Sequence, residues 1–298
     1  MLSILIVNWN TCDLLKACLS SIFRFPPSCV FEVIVVDNAS ADGSAEMVKN
    51  LFPTVKLLAQ ETNWGYAEGN NIAFKRAKGE WLLTLNPDTE VTKGCLDHAI
   101  RQLSIRPECG SLSVRFLNPD GTPQKSIRGF PSIAGILGTL LKLDKRAPGT
   151  ALDSYSLSTF AYDHSGYCDQ PMGTFILFRR SALAMVGSPD MPFDRQFPIF
   201  FNEVDLLKRL ADAGQKCWYT ADASILHHHG GSTKQVRPSM IWESHKSLVR
   251  YFSKHLRGLS RILLPLVAVA AYGAAFARAK GYDAGFRPER NNMQLEHR

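Results

Sequence analysis

Polar and acidic side chains follow several short apolar runs in this chain of 298 residues. Asn8 and Asn10 follow the run LSILIV, Asp37 ends FEVIVVD, and Asn86 and Asp88 follow EWLLTL. A carboxylate at such a position can accept the N–H of a pyrimidine ring, and another suits a divalent cation that bridges phosphate oxygens. Each of these residues alone is more often an ordinary helix cap or turn residue.

The first hundred residues alternate apolar runs with helical stretches. The runs LSILIV, FEVIVVD, TVKLLA and EWLLTL are followed by predicted helices near 14–23, 45–51, 67–77 and 96–103. Continuous apolar runs are typical of parallel strands covered on both faces, and ligands bind such sheets beyond the carboxyl ends of the strands. The pattern therefore predicts an α/β fold that gathers the polar residues on one rim.

The second half of the chain is less regular. Residues 109–166 are predicted to be irregular, with a turn at 118–122 and an apolar helix or loop at 133–143, and no chemical role is assigned to them. A strand and a helix are predicted over 173–187, an aromatic-rich loop over 189–201, and an acidic helix from Asn202. A last strand over 217–226 leads into HHHGGS. We expect one catalytic domain over 1–232 and a helical extension over 233–298.

Composition excludes a disordered or fibrous chain, because 45% of the residues are hydrophobic and 20% are charged. The net charge is +7, and residues 233–298 hold twelve Lys and Arg against four Asp and Glu. Seven cysteines without a CxxC pair predict neither a disulfide framework nor a zinc knuckle. The first apolar run is too short for a secretory signal, so we expect a cytoplasmic protein.

Seven motifs occur in an order that resembles one enzyme family. They are VNWN, VVDNAS, TNWGYAEGNN, LNPD, GTFILFRR, NEVDL and HHHGGS, spread over residues 1–232. Each motif is weak alone, but the order is similar to that of the inverting family 2 glycosyltransferases of the GT-A fold, and among them to the rhamnosyltransferase-like branch. The resemblance implies a Rossmann-like mixed central sheet flanked by helices.

The resemblance also implies a site for a nucleotide-diphospho-sugar. Asp37 would hold the nucleotide base, with Asn8 and Asn63 nearby, and Asn side chains and helix N-terminal amides suit the diphosphate. The implied nucleotide-sugar-binding residues are Asn8, Asn10, Asp37, Asn63, Gly65, Asn70, Asn71, Asn86 and Asp88.

A divalent cation, Mg²⁺ or Mn²⁺, belongs to the same expectation. Asp88 takes the second-acid position of the family's DxD metal motif, and Asn86 takes the first. One carboxylate is physically sufficient, because Mg²⁺ keeps several waters and binds phosphate oxygens. His227 is expected to reach the metal or the leaving diphosphate, so the implied metal residues are Asp88 and His227. His228 and His229 remain open.

The predicted catalytic base lies where this sequence departs from the family. The family usually has Glu-Asp-x-Asp-Leu, and residues 202–206 are NEVDL. Transfer with inversion needs a base for the acceptor hydroxyl, and Glu203 replaces the usual Asp with one more methylene. The alternatives are Asp205 as the base, an inactive homologue, or simple compensation of the helix dipole. On the acceptor side, the resemblance implies Gly173, Thr174 and Asp194.

The extension has two open interpretations. Residues 241–257 form a basic amphipathic pattern, and 262–277 are uncharged and mostly apolar, somewhat short of the roughly 20 residues that span a bilayer. One interpretation is interfacial attachment to anionic lipid through 241–278, and the other is a helix packed on the catalytic domain with a solvated basic face. The basic patch lacks nucleic-acid-binding motifs, so no nucleic-acid partner is expected.

We therefore expect a metal-dependent inverting hexosyltransferase at the inner face of the cell membrane, working in cell-surface polysaccharide biosynthesis. The donor considered first is dTDP-L-rhamnose, and the acceptor is a saccharide, with a lipid-linked glycan as the choice that explains the basic tail. The alternatives are a UDP-sugar donor and a non-catalytic glycosyltransferase-like binding subunit. A dinucleotide-dependent oxidoreductase is disfavoured because no GxGxxG follows the first strand.

Overall fold

A mixed nine-stranded sheet organises the computed structural model, which describes residues 1–228 and 237–281. The strands are β1 (Leu2–Asn8), β2 (Phe31–Asp37), β3 (Lys56–Ala59), β4 (Trp81–Leu85), β5 (Thr89–Val91), β6 (Cys109–Leu117), β7 (Ile127–Arg128), β8 (Gly166–Cys168), β9 (Gln170–Pro171), β10 (Phe175–Arg179) and β11 (Lys216–His227). The order is β3-β2-β1-β4-β10-β6-β11-β5, and β8 also pairs with β11. Strands β7 and β9 form a separate pair.

Helices cover both faces of this sheet and form the C-terminal extension. They are α1 (Cys12–Arg24), α2 (Ser44–Leu51), α3 (Gly65–Phe74), α4 (Cys95–Ser104), α5 (Ile133–Leu140), α6 (Arg180–Met185), α7 (Asn202–Asp212), α8 (Arg237–His255) and α9 (Leu264–Ala279). A 3-10 helix at Gly258–Leu263 links the last two.

Parallel pairing in the first half of the sheet brings the predicted polar residues together. Strand β1 pairs in parallel with β2 and β4, and β2 pairs in parallel with β3. The register places Asn8 opposite Asp37. Strand β1 is buried along its whole length, as expected for a strand covered on both faces. The predicted α/β fold with a mixed central sheet is confirmed.

Strand β6 corrects the prediction that the chain is irregular from Cys109. This strand lies between β10 and β11, and its sequence CGSLSVRFL places Ser111 and Ser113 in the core. The Ser113 hydroxyl donates to the carbonyl of Phe175 on β10 at 2.8 Å. The prediction was wrong because a buried serine with a cross-strand hydrogen bond interrupts the apolar run without interrupting the strand.

Two apolar layers hold the helices on the sheet. One face packs against α1 and α4, with Leu15, Leu19 and Leu96 in its cluster. The other face packs against α3, α6 and α7. Helix α3 approaches β1 closely at Gly69, where a Cβ atom would lie 2.7 Å from Val7 Cγ1. Any larger residue at this position would push the helix away from the rim that carries Asn8 and Asp37.

The C-terminal helices share a third apolar cluster with the catalytic part of the chain. Phe201 and Val204 pack there with Leu248 and Tyr251 of α8 and with Ala271 of α9. Helix α8 is therefore packed on the domain, as one of the two interpretations of its sequence states. The predicted boundary at 232–233 lies outside the described residues, so the division into two domains stays a prediction.

A buried carboxylate fastens α8 to α7. Asp205 of α7 is fully buried, and its Oδ2 accepts a hydrogen bond from Arg209 Nε at 2.9 Å. Its Oδ1 lies 2.7 Å from Lys254 Nζ and 2.8 Å from His255 Nε2, both on α8. Burial alone would raise the pKa of Asp205, but the His255 hydrogen bond and the charges of Arg209 and Lys254 outweigh it and lower the pKa to about 2.

One segment in the described part of the chain is long and apolar enough to cross a membrane by length and composition. It covers Gly258–Ala279, and its most apolar 18-residue window has a mean hydropathy of 1.8 and is only 17% buried.

Asp205→Asn is expected to lower the free energy of unfolding by about 2–4 kcal/mol, because it removes the counter-charge of Arg209 and Lys254 in a buried network. Chemical denaturation near neutral pH measures this change. Asp212→Asn is the matched control on the same helix, since Asp212 is partly exposed and pairs with Lys208. It should change the unfolding free energy by less than about 0.5 kcal/mol.

The same pair of variants predicts a pH dependence. Because folding lowers the pKa of Asp205, its stabilisation is complete above about pH 4 and disappears as the pH falls to about 2. Wild type and Asp212→Asn should therefore lose stability more steeply than Asp205→Asn over this range. Equal acid sensitivity of all three proteins would rule out the assigned network.

Candidate active site

The rim formed by β1 and β2 holds an oriented carboxylate. Asn8 Nδ2 donates to Asp37 Oδ1 at 2.8 Å, and the Ser40 N–H donates to Asp37 Oδ2 at 3.0 Å. Asn8 Oδ1 in turn accepts a hydrogen bond from Thr11 Oγ1 at 2.6 Å. Asn8 and Asp37 are both buried. These bonds fix the Asp37 carboxylate at the strand end where the sequence predicts the nucleotide base.

Asn10 joins the loops that follow β1 and β2. Its backbone N–H donates to Ser40 Oγ at 2.9 Å, and its Oδ1 accepts the N–H of Ala41 at 2.8 Å. Its φ of 51° lies in the left-handed region, which Asn tolerates better than most residues. Asn10 thus shapes the rim, and direct contact with a nucleotide stays a prediction.

The segment before α3 differs from expectation in its hydrogen bonds. Asn63 is exposed, and its Oδ1 accepts the N–H of Gly65 at 2.9 Å. The next two amides, of Tyr66 and Ala67, donate to the carbonyl of Pro198 at 2.8 and 3.2 Å. The Pro198 carbonyl thus engages both amides, and the expectation that helix N-terminal amides receive the diphosphate stays a prediction.

The paired asparagines of α3 are buried and make internal contacts. Asn70 Nδ2 donates to the Tyr66 carbonyl at 2.9 Å. Asn71 forms two bonds with the backbone of Phe193, through Nδ2 at 2.9 Å and Oδ1 at 3.0 Å. Asn71 therefore holds α3 to the loop before α7. The predicted part of both residues in nucleotide-sugar binding stays a prediction.

The NPD turn after β4 lies against the start of β10. The Asn86 N–H donates to the carbonyl of Thr174 at 2.9 Å. Asn86 Oδ1 is buried and accepts no hydrogen bond within the described residues. Asp88 is largely buried, and its Oδ1 lies 3.6 Å from His227 Nε2. The two predicted metal residues are thus brought together.

The hydrogen bonds of Gln124 fix the proton of His227. Gln124 Nε2 donates to Asn118 Oδ1 and to the His227 carbonyl, each at 2.8 Å. Gln124 Oε1 is therefore the acceptor that faces His227 Nδ1 at 2.9 Å, so Nδ1 carries the proton. In neutral His227, the lone pair of Nε2 then points toward Asp88.

This donor set fits a divalent cation. A metal-bound imidazole typically donates its second ring N–H to a carbonyl or carboxylate, as His227 does to Gln124. No group of three or more His, Cys, Asp and Glu side chains within the described residues could hold a metal ion. A cation bound by Asp88 and His227 would therefore need phosphate oxygens and water to complete its coordination.

The rest of the histidine run does not extend this pair within the described residues. His228 Nε2 lies 2.7 Å from Glu90 Oε1. His229, together with Gly230 and Ser232 of the HHHGGS motif, lies outside the described residues.

Glu203 lies in the first turn of α7, against the start of β10. A Cβ atom at Gly173 would lie only 3.3 Å from Glu203 Cδ, so glycine leaves the space that the carboxyl group occupies. Burial raises the pKa of Glu203, while the charge of Arg128 and nearby backbone N–H groups oppose the increase. Phe200 and Phe201, just before this turn, both have a φ of 60°, and such strain persists where packing enforces it.

Asp205, the alternative base, has the opposite character. Three donors surround its carboxylate, two of them on α8, and its pKa is about 2. A carboxylate in this state is a weak proton acceptor and is fully buried. The geometry therefore argues against Asp205 as the base and leaves Glu203 as the candidate.

Asp194 also faces α8. Its Oδ2 lies 2.6 Å from Lys254 Nζ, and its Oδ1 accepts the N–H of Gln196 at 2.9 Å. Of the three residues predicted for the acceptor side, Gly173 and Thr174 lie between Glu203 and Asn86, and Asp194 is held by Lys254. Their contact with an acceptor stays a prediction.

Sequence reasoning missed several residues around Glu203 and His227. Tyr66 Oη donates to the Gly173 carbonyl at 3.0 Å, and its pKa is raised by burial and by the charge of Glu203. Arg128 is buried and donates to Tyr155 Oη at 2.8 Å. Tyr66 stands inside the TNWGYAEGNN motif and could have been found there. Arg128, Tyr155 and Gln124 lie in the stretch without a sequence signal.

One backbone segment joins the two acidic groups of the site. Gly173 packs against Glu203, and the next residue, Thr174, accepts the hydrogen bond from Asn86 in the NPD turn. A raised-pKa carboxyl and a candidate cation site thus border the same segment. This arrangement suits proton abstraction next to a departing diphosphate.

Comparisons with known proteins point to one enzyme family. The sequence profile of the family described as glycosyl transferase family 2 matches residues 3–184. A relative from Mycobacterium tuberculosis, named N-acetylglucosaminyl-diphospho-decaprenol L-rhamnosyltransferase, is 29% identical over 232 residues, which cover 72% of each chain. The O-antigen biosynthesis protein RfbC of Myxococcus xanthus is 28% identical over 74% of this chain and 17% of its own length.

Solved structures share the fold at low identity. The mannosyltransferase PcManGT from Pyrobaculum calidifontis, in complex with GDP-Man and Mn²⁺, gives a TM-score of 0.56 at 18% identity and covers 97% of this chain and 77% of its own. S. aureus TarS 1–349 in complex with UDP-GlcNAc gives 0.54 at 18% identity, over 93% and 72%. The structural neighbours show that the fold is GT-A. Because the family profile matches more than half of the chain, the chain belongs to glycosyltransferase family 2.

Proposed function

We propose that the protein is a metal-dependent inverting glycosyltransferase in which Glu203 is the catalytic base. The observation that carries the proposal is the position of Glu203 beside Gly173, one residue from the carbonyl that anchors the NPD turn. The raised pKa of Glu203 suits a group that takes a proton from an acceptor hydroxyl. Asp37, oriented by Asn8, would accept the N–H of the nucleotide base.

The cation, Mg²⁺ or Mn²⁺, would be held by Asp88 and His227. When bound, it would neutralise the charge that develops on the leaving diphosphate. The chain itself supplies the orientation, because Gln124 keeps the Nε2 lone pair of His227 directed at Asp88. The solved structure of PcManGT contains Mn²⁺, which supports use of a divalent ion in this fold.

For the donor and acceptor we propose dTDP-L-rhamnose and a lipid-linked saccharide, in cell-surface polysaccharide biosynthesis. The name of the M. tuberculosis relative, which describes L-rhamnose transfer to a decaprenol-linked sugar, supports L-rhamnose as the sugar and a lipid-linked acceptor at 29% identity. The enzyme would work at the inner face of the cell membrane. A UDP-sugar donor is the second candidate.

The first prediction concerns nucleotide release from dTDP-rhamnose and a panel of UDP- and GDP-sugars. With Mn²⁺ present, purified protein should release dTDP selectively, and Glu203→Gln should release it about 10²–10⁴-fold more slowly because the amide cannot accept a proton. Liquid chromatography of the released nucleotide measures both effects.

Calorimetric titration with dTDP is the control, because Glu203→Gln should bind the nucleotide as wild type does. Selective release of UDP would show that the donor is a UDP-sugar and would leave the proposed base unchanged. Nucleotide binding without release from any donor, even with an added saccharide acceptor, would overturn the proposal in favour of a non-catalytic binding subunit.

A second prediction concerns the pH dependence of kcat/KM. Glu203 must be ionised to act as a base, so activity should rise with pH through its raised pKa. The charge of Arg128 opposes that increase in pKa, so Arg128→Met should move the acid limb to higher pH. Arg128→Lys retains the charge and should leave the limb close to its wild-type position. If Arg128→Met and Arg128→Lys had the same acid limb in their pH profiles, Arg128 would not act on Glu203 through its charge.

A third prediction tests the cation site with two neighbouring histidines. His227→Gln should weaken Mn²⁺ binding in the presence of a nucleoside diphosphate by at least about tenfold, because it removes the imidazole that faces Asp88. His228→Gln is the matched control and should change affinity by less than about twofold, since His228 pairs with Glu90. Calorimetry measures both affinities, and thermal melting checks the fold. Equal affinities would remove His227 from the site.

A further inference from the structure

The outward face of the last described helix is apolar. Its exposed large side chains Leu266, Val269, Tyr272 and Phe276 recur at helical spacing, and Ile262 of the preceding 3-10 helix continues the row. The inward face, which packs on α8, carries the small residues Ala271 and Ala275. Leu264 and Val267 also pack inward, so α9 is apolar on both sides, whereas a surface helix of a soluble domain keeps its outward side polar.

The position of α9 favours lying on a bilayer over crossing it. Helix α9 alone has 16 residues and is about 24 Å long, so the segment matches a hydrocarbon core of about 30 Å only together with the 3-10 helix that precedes it. It packs along α8, and α8 is fixed to the catalytic domain by Lys254 and His255. While this packing holds, α9 presents one side to its surroundings, which is the geometry of an interfacial helix.

Basic residues accompany the apolar face at both ends. Residues 257–281 contain four Lys and Arg and no Asp or Glu. Arg257 and Arg261 lie at one end of the exposed row and Lys280 at the other, and none of them forms an ion pair within the described residues. Arg257 also lines a surface depression with Lys208, His255 and Ser260, beside an Asp212 that is paired with Lys208.

Two basic residues of α8 are engaged by acidic side chains of the protein, whereas Lys246 of the same helix is exposed. Lys254 pairs with Asp194 and Asp205, and Arg250 pairs with Glu243. These two side chains of the predicted amphipathic helix therefore bind to the protein itself. The surface that remains for a membrane is narrower than the predicted range 241–278 and centres on α9 and its two ends.

We propose that residues 257–280 lie in the interface of an anionic phospholipid membrane. The row from Ile262 to Phe276 enters the acyl-chain boundary, and Arg257, Arg261 and Lys280 meet the lipid phosphates. The proposal names a membrane as the partner of the extension. Only its link to a membrane-carried acceptor rests on the proposed function. A second copy of the chain fits less well, because a two-fold contact would bring the same positive ends together without acidic partners.

The location of this surface suits an acceptor carried by the membrane. Ala271 of α9 and Val204 of α7 belong to one apolar cluster, and Val204 follows Glu203. Helix α5 contributes Ile136 to the same cluster and exposes Leu137 and Leu140. The base and the proposed membrane surface thus lie on two sides of one cluster.

Vesicle co-sedimentation of the full chain tests the proposal with two valines of equal exposure. Val269 of α9 is 74% exposed and Val30 of the catalytic domain is 73% exposed. Wild type and Val30→Glu should sediment with phosphatidylcholine vesicles that contain phosphatidylglycerol. Val269→Glu should bind at least about tenfold more weakly, because a carboxylate must enter the apolar boundary. Arg257→Ala should bind the vesicles that contain phosphatidylglycerol about fivefold more weakly than wild type does. Its binding to vesicles of phosphatidylcholine alone should not change.

Each outcome decides the proposal, and none depends on catalysis. Equal binding of Val269→Glu and Val30→Glu, or no binding of wild type, would overturn it. A wild-type dimer in sedimentation velocity that Val269→Glu dissociates, without vesicle binding, would assign the face to a second copy. Nucleotide release is measured in parallel, so an active protein that ignores vesicles refutes only the membrane inference, and an inactive one that binds refutes only the proposed function.

Discussion

The buried carboxylate of Asp205 is the interaction on which the arrangement of the site depends. It receives hydrogen bonds or charge contacts from Arg209 in its own helix and from Lys254 and His255 in α8. Arg209 also donates to the Pro192 carbonyl at 2.6 Å, and Lys254 also binds Asp194. One carboxylate thus links α7, α8 and the loop between α6 and α7. Because Glu203 begins the same helix, its position depends on this network.

Two carboxyl groups two residues apart on α7 acquire opposite properties from their surroundings. Glu203 packs against Gly173 and has a raised pKa, whereas Asp205 meets three donors and has a pKa of about 2. Environments that push two carboxyl pKa values apart commonly separate a proton-transfer role from a structural role. The helical repeat directs residues two positions apart to different sides, which makes this separation possible within a single turn. In this chain the sequence alone left the two residues as alternatives.

Local patterns predicted the elements but not the contacts between distant elements. The apolar runs located β1 to β4, and the register then placed Asn8 opposite Asp37, because both follow from parallel pairing. Strand β6 was missed because its buried Ser113 is satisfied by a hydrogen bond to a residue 62 positions away, which the local sequence does not reveal. The engagement of the α3 amides by Pro198, and of Asp205 by Lys254 and His255, likewise depends on packing that no spacing rule encodes. Arg128 lacked any signal because it is a single cation on a strand of two residues.

Helix α8 lies between the proposed membrane surface and the candidate base. Ala271 of α9 joins α8 in one apolar cluster, while Lys254 and His255 bind the helix that carries Glu203. The predicted basic pattern over 241–257 therefore has two uses, since Lys254 at the end of α8 binds Asp205 and Arg257, just beyond α8, remains at the surface. The two interpretations of the extension, packing on the domain and contact with lipid, need not exclude each other. Helix α8 packs on the domain. Because α8 also holds α9 at the surface, the apolar face of α9 is available for contact with lipid.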